Sequence, residues 1–398
     1  MSSSPNPIHL LRPHSSRINA LWFSEDNERL YSGDTSGMVI ITSTRTLRSI
    51  ASWKAHDEGI LGIQEWDDSV LTHGRDNKLH VWTLLRETAA HVRDAASQPG
   101  LPTPSLRYSM DVNALNYCRF SLMPLPTLQN EERSALIALP NLIESSLADV
   151  WELPSQKRLH AAIGRDGKNE MPSIDGRGTG STGIIMSMHL FSSPHLDHPN
   201  RTCLKLLCAY ENGGIELREF TRTDKGTSVE GIGWEVIWRS NLHVESIMAM
   251  AVSRDHSLAL TVSADHIIGR HDILKAEETK GSEGCVVHRT KYAGNASIAI
   301  RDDGKVCAVG GWDGKIRLYS TKSFKPLGTL DYHKKSCQTL AFTHPSGIVQ
   351  LKPSDTEEYD SEDEMLPEEQ EARGRWLAAG SEDNRISIWP LITFGRQS

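Results

Sequence analysis

A short pattern recurs along the chain and constrains its fold more than any other feature. It combines an acidic or amide residue, a turn residue and a segment in which apolar and polar residues alternate. The clearest copies are GRDNKLHVW (74–82), SEDNRISIW (381–389), GWDGKIRLY (311–319) and YENGGIELR (210–218). Alternation with a period of two is typical of a strand with one face more buried than the other. The pattern therefore predicts a repeat architecture built from β-strands.

Weaker copies bring the number of repeat units to seven. They lie at 34–42 and 263–271, and the faintest copy lies at 143–151. Each clear copy follows its own apolar strand, and a further strand usually lies about a dozen residues earlier. Seven such units fill the chain, and their aligned turn positions are Ser36, Asp76, Ser145, Asn212, Asp265, Asp313 and Asp383.

The units resemble WD40 repeats, and nearly the whole chain resembles a seven-bladed WD40 β-propeller, an all-β fold. Blade 2 carries the fullest match. His56 stands at the family's His position before the first strand, and Thr72 stands at the Ser/Thr position. Asp76 occupies the turn, and Trp82 ends the third strand.

The other blades keep fewer members of the motif. Ala379 takes the hydroxyl position in blade 7, and Tyr319 replaces the Trp in blade 6. Blades 3, 4 and 5 depart further. The remaining positions of the predicted network are Asp313 in blade 6 and, in blade 7, His333, Asp383 and Trp389.

The residue types of the motif suit a structural network. The turn Asp can accept hydrogen bonds from turn amides and from the His imidazole, the His reaches the Thr hydroxyl, and the hydroxyl meets the Trp N–H. A buried network with satisfied members specifies one geometry and penalises alternatives. We therefore interpret the Asp and His residues of 74–82 as parts of a scaffold and not as catalytic or metal-binding groups.

The two ends of the chain predict how the ring closes. Only seven residues follow RISIWPL (385–391), too few for a fourth strand in the last blade. The segment PIHLLR (7–12) precedes the first blade, and we expect it to form the outer strand of the last blade. Such pairing would protect a sheet edge. The chain is then a single propeller over 1–398, with blades at 14–53, 54–85, 106–163, 184–239, 242–275, 285–330 and 331–391.

One insertion carries the acidity of the protein. In SDTEEYDSEDEMLPEEQE (354–371), ten of eighteen residues are acidic and none is basic, so the net charge of −8 would be +2 without them. Self-repulsion predicts a disordered loop. It is either a tolerated, solvated insertion or a docking segment for a basic partner such as a histone tail. Ser361 is a candidate phosphosite, and the candidate docking residues are Asp355, Glu357, Glu358, Asp360, Glu362, Asp363 and Glu364.

No enzyme motif accompanies the repeats. The chain has no G-x-S-x-G elbow, no phosphate-binding G-x-x-x-x-G-K-[ST] loop and no H-E-x-x-H helix. Its six cysteines form no C-x-x-C pair, which argues against a zinc site. Net negative charge argues against direct nucleic-acid binding. No apolar run approaches 18 residues, so no membrane-spanning helix is expected. We expect a monomeric propeller without catalytic residues, cofactor, metal or membrane contact.

A closer resemblance concerns both ends of the chain. The stretches 7–39, 53–85 and 376–391 look like the ASTRA-associated protein 1 family of fungal WD-repeat proteins. This resemblance implies a scaffold subunit of the ASTRA complex, linked to chromatin remodelling. It also implies association with the Tel2–Tti1–Tti2 co-chaperone of phosphatidylinositol-3-kinase-like kinases, and a location in the nucleus, with the cytoplasm as a further compartment. The alternatives are a G-protein-β-like propeller, a ubiquitin-ligase substrate adaptor and, third, a propeller hydrolase.

Overall fold

The computed structural model describes residues 5–84, 101–115, 117–126, 133–165, 182–194, 202–281, 283–345 and 367–391. Within these ranges the chain forms seven four-stranded antiparallel sheets and two short helices. The fold is therefore the predicted seven-bladed β-propeller.

Blades 1 to 4 follow an N-terminal strand, β1 (His9–Leu11), and each has four consecutive strands. Blade 1 has β2 (Ile18–Phe23), β3 (Arg29–Asp34), β4 (Met38–Ser43) and β5 (Ser49–Lys54). Blade 2 has β6 (Ile60–Trp66), β7 (Ser69–Gly74), β8 (Lys78–Thr83) and β9 (Leu106–Asp111). Blade 3 has β10 (Ser121–Pro124), β11 (Ala135–Pro140), β12 (Ala148–Leu153) and β13 (Lys157–Ile163). Blade 4 has β14 (Ile185–Pro194), β15 (Thr202–Tyr210), β16 (Gly214–Phe220) and β17 (Trp234–Asn241).

Blades 5 to 7 complete the ring and include both helices. Blade 5 has β18 (Ile247–Val252), β19 (Leu258–Ser263), β20 (Ile267–Asp272), α1 (Ile273–Glu278) and β21 (Cys285–Arg289). Blade 6 has β22 (Asn295–Ile300), β23 (Val306–Gly311), β24 (Lys315–Ser320) and β25 (Pro326–Asp331). Blade 7 has β26 (Cys337–Phe342), α2 (Pro367–Arg373), β27 (Trp376–Ser381) and β28 (Ile386–Pro390).

The ring closes through the N-terminal strand, as predicted. β1 pairs antiparallel with β28, in the register His9↔Ile388, Leu10↔Ser387 and Leu11↔Ile386. The first strand of blade 1 also contacts the first strand of blade 7, so the first and last blades are neighbours. The outer edge of the last blade is therefore covered by the opposite end of the chain.

The apolar core lies between neighbouring blades. Tyr31, Ile41 and Trp53 of blade 1 form one buried cluster with Ile60 and Trp82 of blade 2. Equivalent clusters join blades 6 and 7 and blades 3 and 4. Because both faces of a sheet pack against a neighbour, middle strands such as β7 and β23 are buried along their whole length.

Two outer strands lie beyond the blade boundaries expected from sequence. β9 belongs to blade 2, although the expected boundary placed 106–111 in blade 3. β21 belongs to blade 5, although 285–289 was expected to begin blade 6. Both strands follow long connections and expose much of their surface, so their apolar alternation is weak.

The acidic segment departs from blade 7 between β26 and β27, the predicted first and second strands. Residues 354–366 lie outside the described part of the chain. Residues 367–371, which we expected to be part of a disordered loop, begin α2. None of the helices in the described residues is both long and apolar enough to cross a membrane.

Candidate functional site

The best-preserved polar cluster lies in blade 2 and joins three of its segments. Nδ1 of His56 lies 2.8 Å from Oδ1 of Asp76, and Nε2 of His56 lies 2.8 Å from the Thr72 hydroxyl. The Trp82 indole N–H donates to the same hydroxyl at 2.8 Å. The amide of Asp57 donates to the second oxygen of Asp76. The cluster ties the loop before β6 to the β7–β8 turn.

The protonation states of this cluster follow from its geometry. Burial lowers the pKa of His56, although Asp76 opposes this shift. Burial alone would raise the pKa of Asp76, but hydrogen bonds from Asp57 and His56 hold it below its ordinary value. At neutral pH, His56 therefore donates through Nδ1 to the carboxylate and accepts the Thr72 proton at Nε2. Neither ring nitrogen is left to act as a general base.

A third side chain brings metal-ligand types together at this point. His80 stacks on His56 with ring centroids 4.5 Å apart, and ligand atoms of His56, Asp76 and His80 lie within 4.8 Å of one another. Nδ1 of His80 lies 2.6 Å from the Ser109 hydroxyl. A metal bound by His56 would have to displace a hydrogen bond from Asp76 or Thr72, so the contacts favour a structural role.

Blade 7 builds the same network with its hydroxyl on a different strand. Nδ1 of His333 lies 3.0 Å from Asp383, and Nε2 lies 2.8 Å from the Ser387 hydroxyl. The Trp389 N–H donates to Ser387 at 2.8 Å. Ser387 pairs across the sheet with Ala379, the position at which the motif has its Ser or Thr. The hydroxyl is therefore supplied by β28 in place of β27.

Blade 1 contains a network that the sequence reasoning missed. His14 bonds to Asp34 at 2.9 Å and to Ser32 at 2.8 Å, and both His14 and Asp34 are buried. Ser36, the aligned turn residue, donates to Asp34 at 2.7 Å. The separation of twenty residues between His14 and Asp34 equals that between His56 and Asp76. This spacing could have identified the pair.

Blade 5 contains the fourth network of this kind, which was also missed except for its aligned Asp. His243 lies 3.0 Å from Asp265 and 2.9 Å from the Thr261 hydroxyl. His271 stands where blade 2 has Trp82 and lies 3.2 Å from Thr261. Burial lowers the pKa of His271 to about 3, so it is neutral in the folded protein.

Blade 6 replaces the histidine with arginine. Asp313 accepts from the guanidinium of Arg317 at 2.5 and 3.2 Å. Arg317 is buried, and its guanidinium lies 3.8 Å from the ring centre of Tyr292. The turn Asp therefore keeps a side-chain hydrogen-bond donor although the blade lacks the His.

In blades 3 and 4, other side chains make the hydrogen bonds at and beside the turns. In blade 3, buried Asp149 accepts from the Asn141 side chain at 2.9 Å and from the Ala162 amide at 2.8 Å. The aligned Ser145 donates to Asn113 at 3.1 Å. In blade 4, the aligned Asn212 accepts from the amide of Gly214. Asn and Asp suit such local bonds to backbone groups.

These contacts define two faces of the ring. The loops before the first strands and the turns between second and third strands meet at one face, which we call the upper face. The connections between first and second strands lie at the opposite, lower face. There Arg254 of blade 5 lies 2.6 Å from Asp302 of blade 6 and 3.4 Å from Glu25 of blade 1. His344 of blade 7 lies 2.9 Å from Asp302.

The remaining predicted site residues lie outside the described part of the chain. They are Ser361 and the acidic residues Asp355, Glu357, Glu358, Asp360, Glu362, Asp363 and Glu364. Their roles stay predictions.

Comparison with known proteins supports the repeat assignment. The family model described as WD domain, G-beta repeat, matches residues 5–43, 290–320 and 372–390. An ASTRA-associated protein 1 from Verticillium alfalfae is 33% identical over 410 residues, which cover 98% of this chain and 94% of the relative. The chain belongs to the ASTRA-associated protein 1 family.

Other members of the family match over similar lengths. The Penicillium rubens protein is 30% identical over 454 residues, covering 98% of each chain. The Schizosaccharomyces pombe protein is 26% identical over 380 residues, covering 88% of this chain and 97% of the relative. The likeness therefore extends through the divergent blades as well as the recognisable repeats.

Proposed function

We propose that this chain is a non-enzymatic protein-interaction scaffold and a subunit of the ASTRA complex. The single observation that carries the proposal is similarity along almost the whole chain to proteins named ASTRA-associated protein 1. The fold agrees with it, because a rigid ring with loops at two faces presents surface without built-in chemistry.

The geometry of the polar clusters supports the non-enzymatic part of the proposal. In blades 1, 2, 5 and 7, the buried His is held on both ring nitrogens by an Asp and a hydroxyl. A general base needs a nitrogen that can reach a substrate proton. A screen with an active-serine probe should therefore leave the purified chain unlabelled, and labelling would favour the propeller hydrolase.

The finer proposal names the partners. As an ASTRA subunit, the chain takes part in chromatin remodelling and associates with the Tel2–Tti1–Tti2 co-chaperone for phosphatidylinositol-3-kinase-like kinases. The test is affinity purification of the tagged full chain from a fungus, followed by mass spectrometry against a tag-only control. Recovery of Tel2-type proteins supports the proposal. Recovery of cullin chains would replace it with a ubiquitin-ligase adaptor, and recovery of Gγ-like chains with a G-protein-β-like propeller.

The acidic segment 354–371 gives the scaffold a candidate docking arm for basic protein segments. Its ten carboxylates are concentrated in eighteen residues, and phosphorylation of Ser361 would add about −1.5 to −2 further charge. A chain without 354–366 should lose one or more co-purifying partners, and their binding to the full chain should weaken with salt. An unchanged set of partners with unchanged salt dependence would contradict the docking role.

The proposed location is the nucleus, with the cytoplasm as a further compartment. The proposal rests on the chromatin role and on no targeting motif of the chain. Fluorescence microscopy of the full chain fused to a fluorescent protein tests it, and exclusion from the nucleus would contradict it.

A further inference from the structure

The upper face of blade 6 carries two exposed aromatic side chains at the junction with blade 5. Trp312, in the turn between β23 and β24, is 50% exposed, and Tyr292, in the loop before β22, is 51% exposed. Large aromatic residues are usually buried, and exposed ones with polar neighbours are enriched at binding hot spots. Trp312 belongs to no blade network described above, and Tyr292 touches the blade 6 network only through the guanidinium of Arg317.

Backbone contacts join these aromatic residues into one surface. The Trp312 amide donates to the Gly294 carbonyl at 2.8 Å, and the indole ring covers Gly294 so closely that a Cβ there would lie 2.6 Å from it. Gly294 and Tyr292 belong to the same loop. The Thr290 hydroxyl donates to the Tyr292 carbonyl at 2.8 Å, which fixes that loop. The Trp312 ring is therefore packed on Gly294, and the Tyr292 ring lies 3.8 Å from the Arg317 guanidinium, before any partner arrives.

The surface continues toward blade 7 through a glycine. Gly314, two residues after Trp312, has a positive φ of 79° and packs directly on the His333 carbonyl. A side chain at this position would collide with the loop 332–336. That loop exposes Lys334 and Lys335. We call the surface formed by Lys291, Tyr292, Trp312, Lys334 and Lys335 the blade 6 upper patch.

The charge of the blade 6 upper patch is positive. The patch contains three lysines and no acidic residue, in a chain with a net charge of −8. Asp313 is paired with Arg317, and Asp331 lies 3.2 Å from Lys315. Among the ion pairs of the described residues, Lys291, Lys334 and Lys335 take no part. The three exposed ammonium groups therefore remain available to an anionic partner.

From this combination we infer that the blade 6 upper patch docks an acidic peptide segment of a protein partner, with an apolar or aromatic side chain of that segment packed on Trp312 and Tyr292. Carboxylates of the segment pair with Lys291, Lys334 and Lys335, and the aromatic rings supply desolvated contact area. A peptide fits better than a nucleic acid, because the patch offers only three lysines beside two aromatic rings, in a chain with a net charge of −8. The inference deepens the proposed scaffold function and rests on it for the existence of a protein partner.

The test begins with selection of random 16-residue peptides displayed on phage against the purified full chain. The selected peptides should be rich in Asp and Glu around one aromatic or aliphatic residue. Recovery of no peptide, or of peptides without an acidic bias, overturns the inference. This selection uses no ASTRA component, so its failure is distinguishable from failure of the proposed ASTRA assembly.

Fluorescence anisotropy with the best peptide then maps the surface. Trp312→Ala should weaken binding by about tenfold or more. A Lys334→Glu/Lys335→Glu variant should weaken it to a similar extent and reduce its salt dependence. Lys322→Glu/Lys325→Glu, which makes the same charge change in the exposed turn at the lower face of the same blade, should leave affinity within about twofold of the wild type. Equal affinity of wild type and both upper-patch variants contradicts the inference.

Three controls identify the occupant. Circular dichroism melting checks that the variants fold. If Trp312→Ala does not fold, the comparison of Lys334→Glu/Lys335→Glu with its control Lys322→Glu/Lys325→Glu carries the test. A single-stranded DNA oligonucleotide that binds more tightly than the peptide, with the same variant sensitivity, would replace the peptide by nucleic acid. A chain lacking 354–366 that binds the peptide about tenfold more tightly would make this chain's own acidic segment the occupant.

Discussion

Blades 1, 2, 5 and 7 and blades 3, 4 and 6 solve the same packing problem with different side chains. The first group holds each turn Asp with a buried His and a Ser or Thr hydroxyl. The second group uses Arg317 in blade 6 and Asn-centred contacts in blades 3 and 4. What all seven blades share is therefore a turn whose polar side chain is hydrogen-bonded, and not a fixed set of residues. The polar residues that resemble catalytic machinery serve the fold.

The largest expected effect comes from removing the strand that joins the two ends of the ring. Deletion of residues 1–13 removes β1, exposes the edge of β28 and uncovers the cluster to which Leu11 belongs. We expect the free energy of unfolding to fall by about 3–5 kcal/mol, because backbone pairing and apolar burial are lost together. Chemical denaturation measures the loss. Deletion of 1–6 keeps β1 and is the matched control, and equal stability of the two truncated chains would contradict closure by β1.

The next effect separates a blade with the His from a blade without it. Asp76→Ala leaves His56 and the Asp57 amide without their acceptor and should cost about 1–3 kcal/mol. Asp313→Ala removes a carboxylate that is 42% exposed, and the buried Arg317 guanidinium keeps its contact with the Tyr292 ring, so we expect a smaller loss of about 1 kcal/mol. Thermal melting of both variants, with exposed Asp57→Ala as the control, makes the comparison. An unchanged melting temperature for Asp76→Ala would contradict a structural role of the network.

A smaller effect tests the displaced hydroxyl of blade 7. Ser387→Ala removes the acceptor of the Trp389 N–H and the partner of His333, and should cost about 1–2 kcal/mol. Adding Ala379→Ser to this variant returns a hydroxyl to the strand that carries Thr72 in blade 2. The free energy of unfolding, measured by urea denaturation, should then partly recover. A double variant that is less stable than the sum of the two single changes would show that the hydroxyl cannot be exchanged between β27 and β28.

The smallest effect compares two histidines of blade 7 whose pKa values move in opposite directions. Burial lowers the pKa of His333. Its contribution to the free energy of unfolding is therefore lost as pH falls below about 6.5. Burial alone would lower the pKa of His344, but the hydrogen bond to Asp302 and the nearby Glu25 raise it. His344 therefore contributes stability that is complete below about pH 6.5 and is lost as pH rises through its raised pKa.

Urea denaturation at pH 7.5 and 5.5 measures this contrast. The described histidines with a lowered pKa outnumber the one with a raised pKa, so the wild type should be less stable at pH 5.5. His333→Asn should make the pH dependence flatter, and His344→Gln should make it steeper, each by about 1 kcal/mol or less over this range. The same change of slope in both variants would contradict the opposite signs.

The repeat pattern was sufficient to predict the seven blades, the closing strand and the four members of the blade 2 network. It was insufficient where another residue type fills the same physical role. Asp34 lies two residues before the aligned Ser36, His271 replaces a Trp, and Ser387 supplies its hydroxyl from the neighbouring strand. The exchanges at His271 and Ser387 depend on distances across a sheet, which spacing along the chain does not reveal, whereas the spacing of His14 and Asp34 equals that of the blade 2 pair.

The outer strands were the other limit of sequence reasoning. β9 and β21 are separated from the rest of their blades by long connections, and their half-exposed surfaces weaken the apolar alternation. The blade 6 upper patch could not be assembled from the sequence, because Tyr292 and Trp312 lie twenty residues apart and their loops meet only where Trp312 packs on Gly294. Its lysines come together only because the loops before β22 and β26 lie at the same face of blade 6.

The central claim is that this ring is a binding platform for the ASTRA-associated assembly. Mass photometry of the purified full chain mixed with purified Tel2–Tti1–Tti2 tests it most directly. The account predicts a new species heavier than the co-chaperone by 44.2 kDa, the mass of one chain. An unchanged mass distribution at concentrations at which both components are folded would contradict the claim.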